Sequence, residues 1–191
     1  MPRRPNMNAT RKGSCSAALF LLLSALSLLL FGCALFGGES DGALVEAPDS
    51  TAAEALRYAY QYVDEDTEYV SGGQDRLRTI GIDCSGLVVN CYGYAVHGTP
   101  YALPFDDAAV IDFFRTWTRG TTSPRPGDLA FMGDDPAAPS HMALFVKEAE
   151  GRIYFIDATS KPEEGINGVT ERSYASDDAR FLSFGRLLVL E

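Results

Sequence analysis

Apolar residues recur every three to four positions in the first half of the chain, and this spacing predicts helices. Thr51 and Glu54 form a capping box, which indicates that a first helix begins there. A second helix is predicted over residues 84–96 and a third over residues 106–118, because each range places its apolar side chains on one helical face.

The second half of the chain consists of short runs that are rich in β-branched and aromatic residues, and these runs predict strands. Strands are expected at residues 128–132, 141–147, 152–158 and 181–190. Helices followed by strands are typical of the α+β class, so we expect N-terminal helices packed on a C-terminal antiparallel β-sheet.

The N-terminal residues have the composition of an export signal. Residues 1–33 carry four cations and no acid, and the cations are followed by an uncharged, leucine-rich stretch of 17 residues, 16–32. The stretch ends in Leu-Phe-Gly-Cys, which resembles a bacterial lipobox, so we interpret residues 1–33 as a lipoprotein signal peptide with Cys33 as the lipidated residue. Cleavage without a lipid and a retained anchor are the alternatives. All three place the rest of the chain outside the cytoplasm, and lipidation would anchor it in the cell envelope, on the periplasmic or outer-membrane face.

Residues 34–50 are rich in glycine, serine and acids, and we interpret them as a flexible tether to one folded domain, residues 51–191. The net charge of −10 argues against a nucleic-acid partner. The four cysteines are too few for a disulfide scaffold, and they form no C-x-x-C pair that would indicate zinc. We therefore expect no metal or other cofactor, and we expect a monomer.

Cys84 is the candidate nucleophile. It follows Asp83 at the start of the predicted second helix, where unpaired backbone N–H groups and the helix dipole stabilise a thiolate. The alternative is a buried, unreactive cysteine, which is how we interpret Cys91 in the middle of the same helix. An offset of about 10.5 Å along the helix is too long for a disulfide between the two cysteines.

A nucleophilic cysteine needs a base, which is usually histidine, and the chain has two histidines. His97 lies at the far end of the helix that Cys84 begins, roughly 20 Å away, so His141 is the candidate partner. A three-residue turn at residues 148–150 would place His141 directly opposite Asp157, whose carboxylate would then orient the imidazole. The alternatives are a structural histidine and a solvated acid.

Several motifs together resemble those of the NlpC family of cell-wall cysteine peptidases. They follow the family's order along residues 51–190: Tyr69-Val70-Ser71-Gly72-Gly73, Asp83-Cys84-Ser85-Gly86, Leu103-Pro104, Pro126-Gly127-Asp128-Leu129 and Ser140-His141. Two features depart from the family pattern. The third polar position, often a histidine, is Asp157 here, and the segment between Gly73 and Asp83 is long.

The resemblance implies a papain-like fold and acyl transfer through a thioester. It implies that the Cys84 thiolate attacks an amide carbonyl of a peptidoglycan stem peptide, that His141 carries the proton, and that Asp157 orients His141. The hydroxyl group of Tyr69, together with the backbone N–H of Cys84, would stabilise the oxyanion.

The resemblance also implies a substrate. In the family, the residues that correspond to Asp83 and Ser85 help to bind the free amine of the stem peptide. The bond cut is typically the one between γ-D-glutamate and the following diamino acid. The alternatives are an N-acyl amidase or acyltransferase on the same scaffold, and a non-catalytic envelope lipoprotein that binds wall peptides.

Overall fold

The computed structural model describes residues 42–74 and 81–191, and within them the helices precede most of the strands. The helices are α1 (Asp49–Asp64), α2 (Cys84–Val96) and α3 (Val110–Asp112), which continues into a π-helical turn (Phe113–Trp117). The strands are β1 (Leu44–Glu46), β2 (Thr118–Thr121), β3 (Leu129–Met132), β4 (His141–Ala149), β5 (Arg152–Lys161), β6 (Ile166–Ala175) and β7 (Phe181–Leu190). The second helix and the last strand match the predicted bounds at both ends.

The strands of the described residues form an antiparallel sheet in the order β1-β7-β3-β4-β5-β6, and β2 also pairs with β7. The predicted α+β class, with helices packed on a mainly C-terminal antiparallel sheet, is confirmed. Among the described helices, none combines the length and the apolar composition that a membrane crossing requires.

The central strands bury apolar side chains on both faces of the sheet. Leu144 and Ile156 pair with each other and join the larger core cluster, to which α1 and α2 also contribute. Phe145 and Phe155 form the next pair, point to the opposite face and build a second cluster around aromatic rings. Because both faces are buried, these strands contain nearly continuous apolar runs.

The first helix begins two residues earlier than the predicted capping box. Pro48 occupies the N-cap position and no side chain caps the helix, so the predicted cap by Thr51 is wrong. Thr51 is buried inside the first turn, and Glu54 forms an ion pair with Arg57 at 2.7 Å. Proline is compatible with this position because its missing N–H leaves no helical hydrogen bond unmade.

The predicted tether is wrong in its second half. Residues 44–46 form β1, which pairs with the end of β7, and Ala47 is buried against the core. Glu46 forms ion pairs with Arg119 and Arg186, and these ion pairs attach β1 to the rest of the folded domain. The folded part therefore includes residues before position 51. Residues 34–41 of the predicted tether and Cys33 lie outside the described residues.

The third helix is shorter than the predicted range 106–118. Helical structure begins at Val110, and the π-helical turn directs the fully buried ring of Phe113 towards Phe105. The hydroxyl group of Thr118 donates to the Phe113 carbonyl at 2.9 Å, and β2 begins at the same residue. Thr118 therefore ends the helical segment and opens a strand that the sequence pattern did not predict.

Candidate active site

Cys84 is the first residue of α2, and the side chain of Asp83 caps the helix there. The Oδ1 atom of Asp83 accepts hydrogen bonds from the backbone N–H of Gly86 at 2.7 Å and from the Ser85 hydroxyl at 3.0 Å. The cap fixes where the helix begins, so the half-buried Cys84 lies beside the free N–H groups of the first turn. Asp83 and Ser85 thus belong to the framework that presents the thiol.

The loop of residues 69–74 is fastened to this end of α2. The backbone N–H of Gly72 donates to Asp83 Oδ2 at 2.9 Å, and the N–H of Asp83 donates to the Gly73 carbonyl at 3.0 Å. The approach is so close that a Cβ atom on Gly86 would lie 2.4 Å from the Gly73 carbonyl oxygen. This contact explains the glycine at position 86, whereas a Cβ atom on Gly73 would instead lie 2.5 Å from the Gly81 carbonyl oxygen and 2.7 Å from that of Val70.

Tyr69 lies at the start of the same loop and close to the thiol. Burial raises the pKa of Tyr69, and negative charge on Cys84 and on Asp83 raises it further. The hydroxyl group therefore keeps its proton at neutral pH and remains a hydrogen-bond donor. The role of Tyr69 at the oxyanion stays a prediction.

The turn of the β4–β5 hairpin differs from the prediction. It contains two residues, Glu150 and Gly151, with φ angles of 55° and 68°, and Ala149 pairs with Arg152. Two-residue turns with positive φ match the twist of paired strands, which favours them over the predicted three-residue turn. The predicted register, with His141 directly opposite Asp157, is therefore wrong.

A β-bulge at Val146 nevertheless returns His141 and Asp157 to one face of the sheet. The two-residue turn alone would shift the register by three residues from the predicted one, an odd number that places them on opposite faces. The ladder shifts at Val146, after which Leu144 pairs with Ile156. At that register His141 is a diagonal neighbour of Asp157, within reach of a hydrogen bond.

His141 and Asp157 are joined by a short hydrogen bond. The distance between His141 Nε2 and Asp157 Oδ2 is 2.6 Å, and the Asp157 side chain is fully buried. The Cys84 thiol is hydrogen-bonded to the same histidine, and because Asp157 engages Nε2, Nδ1 is the nitrogen left for the thiol. The structure therefore brings the three predicted residues together in one hydrogen-bonded series.

The electrostatics of this series favour a charged histidine. Burial alone would lower the pKa of His141, but the hydrogen bonds to Asp157 and Cys84 outweigh it and raise the pKa to about 9. Burial would raise the pKa of Asp157, yet the hydrogen bonds from His141 and Arg172 lower it below its usual value. At neutral pH the site thus holds an imidazolium beside an ionised carboxylate.

Arg172 is the partner that the sequence analysis missed. Its Nε atom donates to Asp157 Oδ1 at 3.0 Å, and its Nη2 atom donates to Asp157 Oδ2. Arg172 lies on β6, a strand that was not predicted. The available signal was the turn at Gly165 followed by the β-formers Val169 and Thr170, which together indicate a second hairpin.

The other histidine and the other described cysteine are far from this chemistry. His97 lies exposed at the C-terminal end of α2. Cys91 is fully buried in the core, and burial raises its pKa. Within residues 42–74 and 81–191, no cluster of His, Cys, Asp or Glu could hold a metal ion. The contacts among Cys84, His141 and Asp157 suit thiol chemistry assisted by a base.

Two cavities of about 200 Å³ each flank the series, and they differ in charge. The first, here called the acidic cavity, is lined by Asp83, Ser85 and Asp107 among others. The second, here called the basic cavity, opens beside His141, and its lining includes the cations Lys161, Arg172 and Arg180. A larger cavity of about 640 Å³ lies along the C-terminal half of α2, but none of the three residues of the series lines it.

Comparison with known proteins gives one family and several similar solved structures, among them two of Ly7917. A family model described as the NlpC/P60 family matches residues 66–178, a range that contains Tyr69, Cys84, His141 and Asp157. The crystal structure of Ly7917 is 13% identical, covers 71% of this chain and 62% of its own, and has a TM-score of 0.47. The crystal structure of Ly7917 with the hydrolyzing product of MDP is 12% identical, with the same coverage and a TM-score of 0.45. The chain thus spans 62% of the length of these structures. No curated protein matches it.

Proposed function

The chain belongs to the NlpC/P60 family, and from this membership we propose that it is an exported thiol hydrolase that cleaves amide bonds in peptidoglycan stem peptides. The observation that carries the proposal is the hydrogen-bonded series of Cys84, His141 and Asp157, with the thiol at the first residue of a helix. A nucleophile, a base and a group that orients the base are the parts that this chemistry requires.

In the proposed reaction, the Cys84 thiolate attacks the carbonyl carbon of the scissile amide and forms a tetrahedral intermediate. The His141 imidazolium gives its proton to the amine as the C–N bond breaks, which leaves a thioester on Cys84. Water then attacks the thioester while His141 accepts its proton, and the carboxylic acid product leaves as the thiolate re-forms. Asp157 stays ionised throughout and stabilises the imidazolium.

Two hydrogen-bond donors are proposed to stabilise the oxyanion of the intermediate. One is the backbone N–H of Cys84, which is free because it belongs to the first turn of α2. The other is the hydroxyl group of Tyr69, whose raised pKa keeps it protonated. Donors fixed in place before the reaction lower the barrier without being reorganised during it.

The proposed substrate bond is the one between γ-D-glutamate and the following diamino acid. The charges of the two cavities support this assignment, because a short stem peptide carries a free amine at one end and carboxylates further along. Asp83 and Asp107 in the acidic cavity suit the amine. The cations of the basic cavity, which opens at the histidine that protonates the leaving amine, suit a carboxylate.

Export and anchoring are part of the same proposal. The basic and then leucine-rich residues 1–32 support a signal peptide, and the Leu-Phe-Gly-Cys ending supports a diacylglycerol on Cys33. Intact-mass analysis of the protein purified from bacterial membranes tests both points. A mature species that begins at Cys33 and carries lipid mass is expected, whereas one that retains Met1 or begins elsewhere would contradict the anchor.

The test of the activity is digestion of purified peptidoglycan by the full-length protein in detergent, with mass analysis of the soluble products. Fragments whose N-terminus is the diamino acid are expected. Cys84→Ser and His141→Gln should abolish their release, whereas His97→Gln is the matched control for the histidine and should retain it. Together these variants separate cleavage by the proposed site from a contaminating hydrolase.

Other products would redirect the proposal. Cleavage between the muramyl group and alanine would indicate an N-acyl amidase on the same site. Transfer of the acyl group to an added amine in preference to water would indicate an acyltransferase. Absence of any release that depends on Cys84, from walls of several chemistries, would favour a protein that binds wall peptides without cutting them.

A further inference from the structure

We infer that Arg172 is a positioning residue of the proposed site. It donates hydrogen bonds to both carboxylate oxygens of Asp157, and it thereby keeps that carboxylate ionised and oriented towards His141. The inference rests on the proposed thiol chemistry of Cys84 and His141. Its test, however, measures the charge of His141 directly, so it can fail or succeed whether or not a wall peptide is cut.

The contact between Arg172 and Asp157 is bidentate. Arg172 donates from Nε to Oδ1 at 3.0 Å and from Nη2 to Oδ2, the oxygen that also lies 2.6 Å from His141 Nε2. The planar guanidinium matches the two oxygens of a carboxylate, so this contact fixes the rotation of Asp157 as well as its position. Lysine, with one charged nitrogen, could not hold both oxygens in this way.

The guanidinium is itself held from the other side. Its Nη1 atom donates to the Tyr174 hydroxyl oxygen at 2.6 Å, and Lys161 donates to the same oxygen at 3.0 Å. Arg180 stacks on the Tyr174 ring, with its guanidinium carbon 3.6 Å from the ring centroid. The acids next to these two cations are Glu164 for Lys161 and Asp178 for Arg180. Asp157 is therefore the acid that balances Arg172.

Because Asp157 is buried and Arg172 is largely buried, their ion pair determines whether the shared proton resides on His141 or on Asp157. The side chain of Asp157 is fully buried and that of Arg172 is 9% exposed. In such a site an ionised carboxylate beside an imidazolium competes with the neutral pair, in which the proton sits on the carboxyl group. A cation bound to both oxygens stabilises the ionised carboxylate, so the proton stays on His141, where the leaving amine needs it.

The test is a pH titration of the imidazole nitrogens by NMR in the ¹⁵N-labelled full-length protein. The chain has two histidines, so His97 supplies an internal reference. In Arg172→Met the His141 midpoint should fall by roughly one to two pH units, because the proton moves to Asp157. In Arg172→Lys the midpoint should fall by less, because the positive charge is kept.

Arg152→Met is the matched control. Arg152 also donates a hydrogen bond to β6, at the Ser173 hydroxyl group, but it does not contact Asp157. The variant should leave the midpoint unchanged.

A double-mutant cycle keeps the inference testable if Arg172→Met does not fold. Asp157→Asn removes the buried carboxylate, and Asp157→Asn/Arg172→Met removes the guanidinium as well. The two proteins should show the same His141 midpoint and the same rate of Cys84 alkylation. A further change on adding Arg172→Met would mean that Arg172 does not act through Asp157. An unchanged or raised midpoint in a folded Arg172→Met protein would also overturn the inference.

Discussion

His141 and Asp157 are hydrogen-bonded at 2.6 Å although they are diagonal neighbours, not a directly opposed pair, in the β4–β5 ladder. Two local features combine to give this relationship. The two-residue turn shifts the ladder by three residues from the predicted register, and the bulge at Val146 moves it back by one, so the net shift is even and the two side chains share a face. The catalytic proposal therefore depends on backbone details of the β4–β5 hairpin.

The turn should be sensitive to loss of its glycine. Gly151 has a φ of 68°, and a Cβ atom at this position would have no other atom within 4 Å. Gly151→Val would therefore introduce backbone strain but no clash. We expect its free energy of unfolding to fall by about 1–3 kcal/mol in a denaturant titration. The control is Gly120→Val, at a strand position with equal space and no positive φ. An equal loss in both variants would show that the turn conformation is not the cause.

The contact between α2 and the loop of residues 69–74 leads to a second prediction. Gly86→Ala would place a Cβ 2.4 Å from the Gly73 carbonyl oxygen, so the loop must move away from the thiol. We expect a loss of about 1–3 kcal/mol in stability together with most of the activity. Gly93→Ala on the same helix meets only a Leu103 methyl group at 3.8 Å. That control should gain about 0.5–1 kcal/mol, and it should keep full activity.

Thiol reactivity gives a prediction that needs no substrate. Cys84 is half-buried and hydrogen-bonded to His141, whereas Cys91 is fully buried and its pKa is raised by burial. Iodoacetamide at neutral pH should therefore modify Cys84 and spare Cys91, as read by peptide mass mapping of the native protein. His141→Gln should slow the reaction at Cys84 by at least about tenfold, and His97→Gln should not. Equal labelling of both cysteines would contradict the proposed site.

The pKa of His141 should also make stability depend on pH. The folded-state pKa of about 9 lies above the ordinary value of 6.5, so the folded protein binds the proton more tightly than the unfolded chain does. The resulting stabilisation is complete below about pH 6.5 and is lost as the pH rises through 9, by up to about 3 kcal/mol. Urea titrations across this range should show the decline in the wild type and a flatter profile in His141→Gln. A wild-type stability that does not fall between these pH values would contradict the raised pKa.

The sequence predicted the parts of the fold that local patterns control. The bounds of α2 and β7 follow from apolar spacing and from the cap at Asp83. The motifs around Cys84 and His141 likewise identify residues that the structure brings together. Such features depend on neighbours within a few positions, and one chain displays them directly.

The parts that the sequence did not predict depend on contacts between distant residues. The bulge at Val146 has no local signature, so the exact register could not be read from the turn alone. Strand β1 is three residues long and exists because the end of β7 offers it a partner. Arg172 escaped notice because its role depends on its proximity to Asp157, and that proximity arises only when β6 pairs with β5.

The acidic cavity supplies the last prediction, which concerns recognition of a free amine. Asp107 lines this cavity together with Asp83 and Ser85, but unlike Asp83 it does not cap α2. Asp107→Asn should therefore leave the fold intact and weaken binding of a cationic group. For a stem peptide with a free N-terminal amine we expect KM to rise by about five- to tenfold with kcat little changed, because the lost contact is made equally in the ground and transition states. The same peptide with an acetylated N-terminus should be cleaved equally by both proteins.

Asp106→Asn is the matched control, because Asp106 lines the larger cavity along α2 instead. A rise in KM for the acetylated peptide, or an equal effect of Asp106→Asn, would show that general negative charge and not this cavity attracts the substrate.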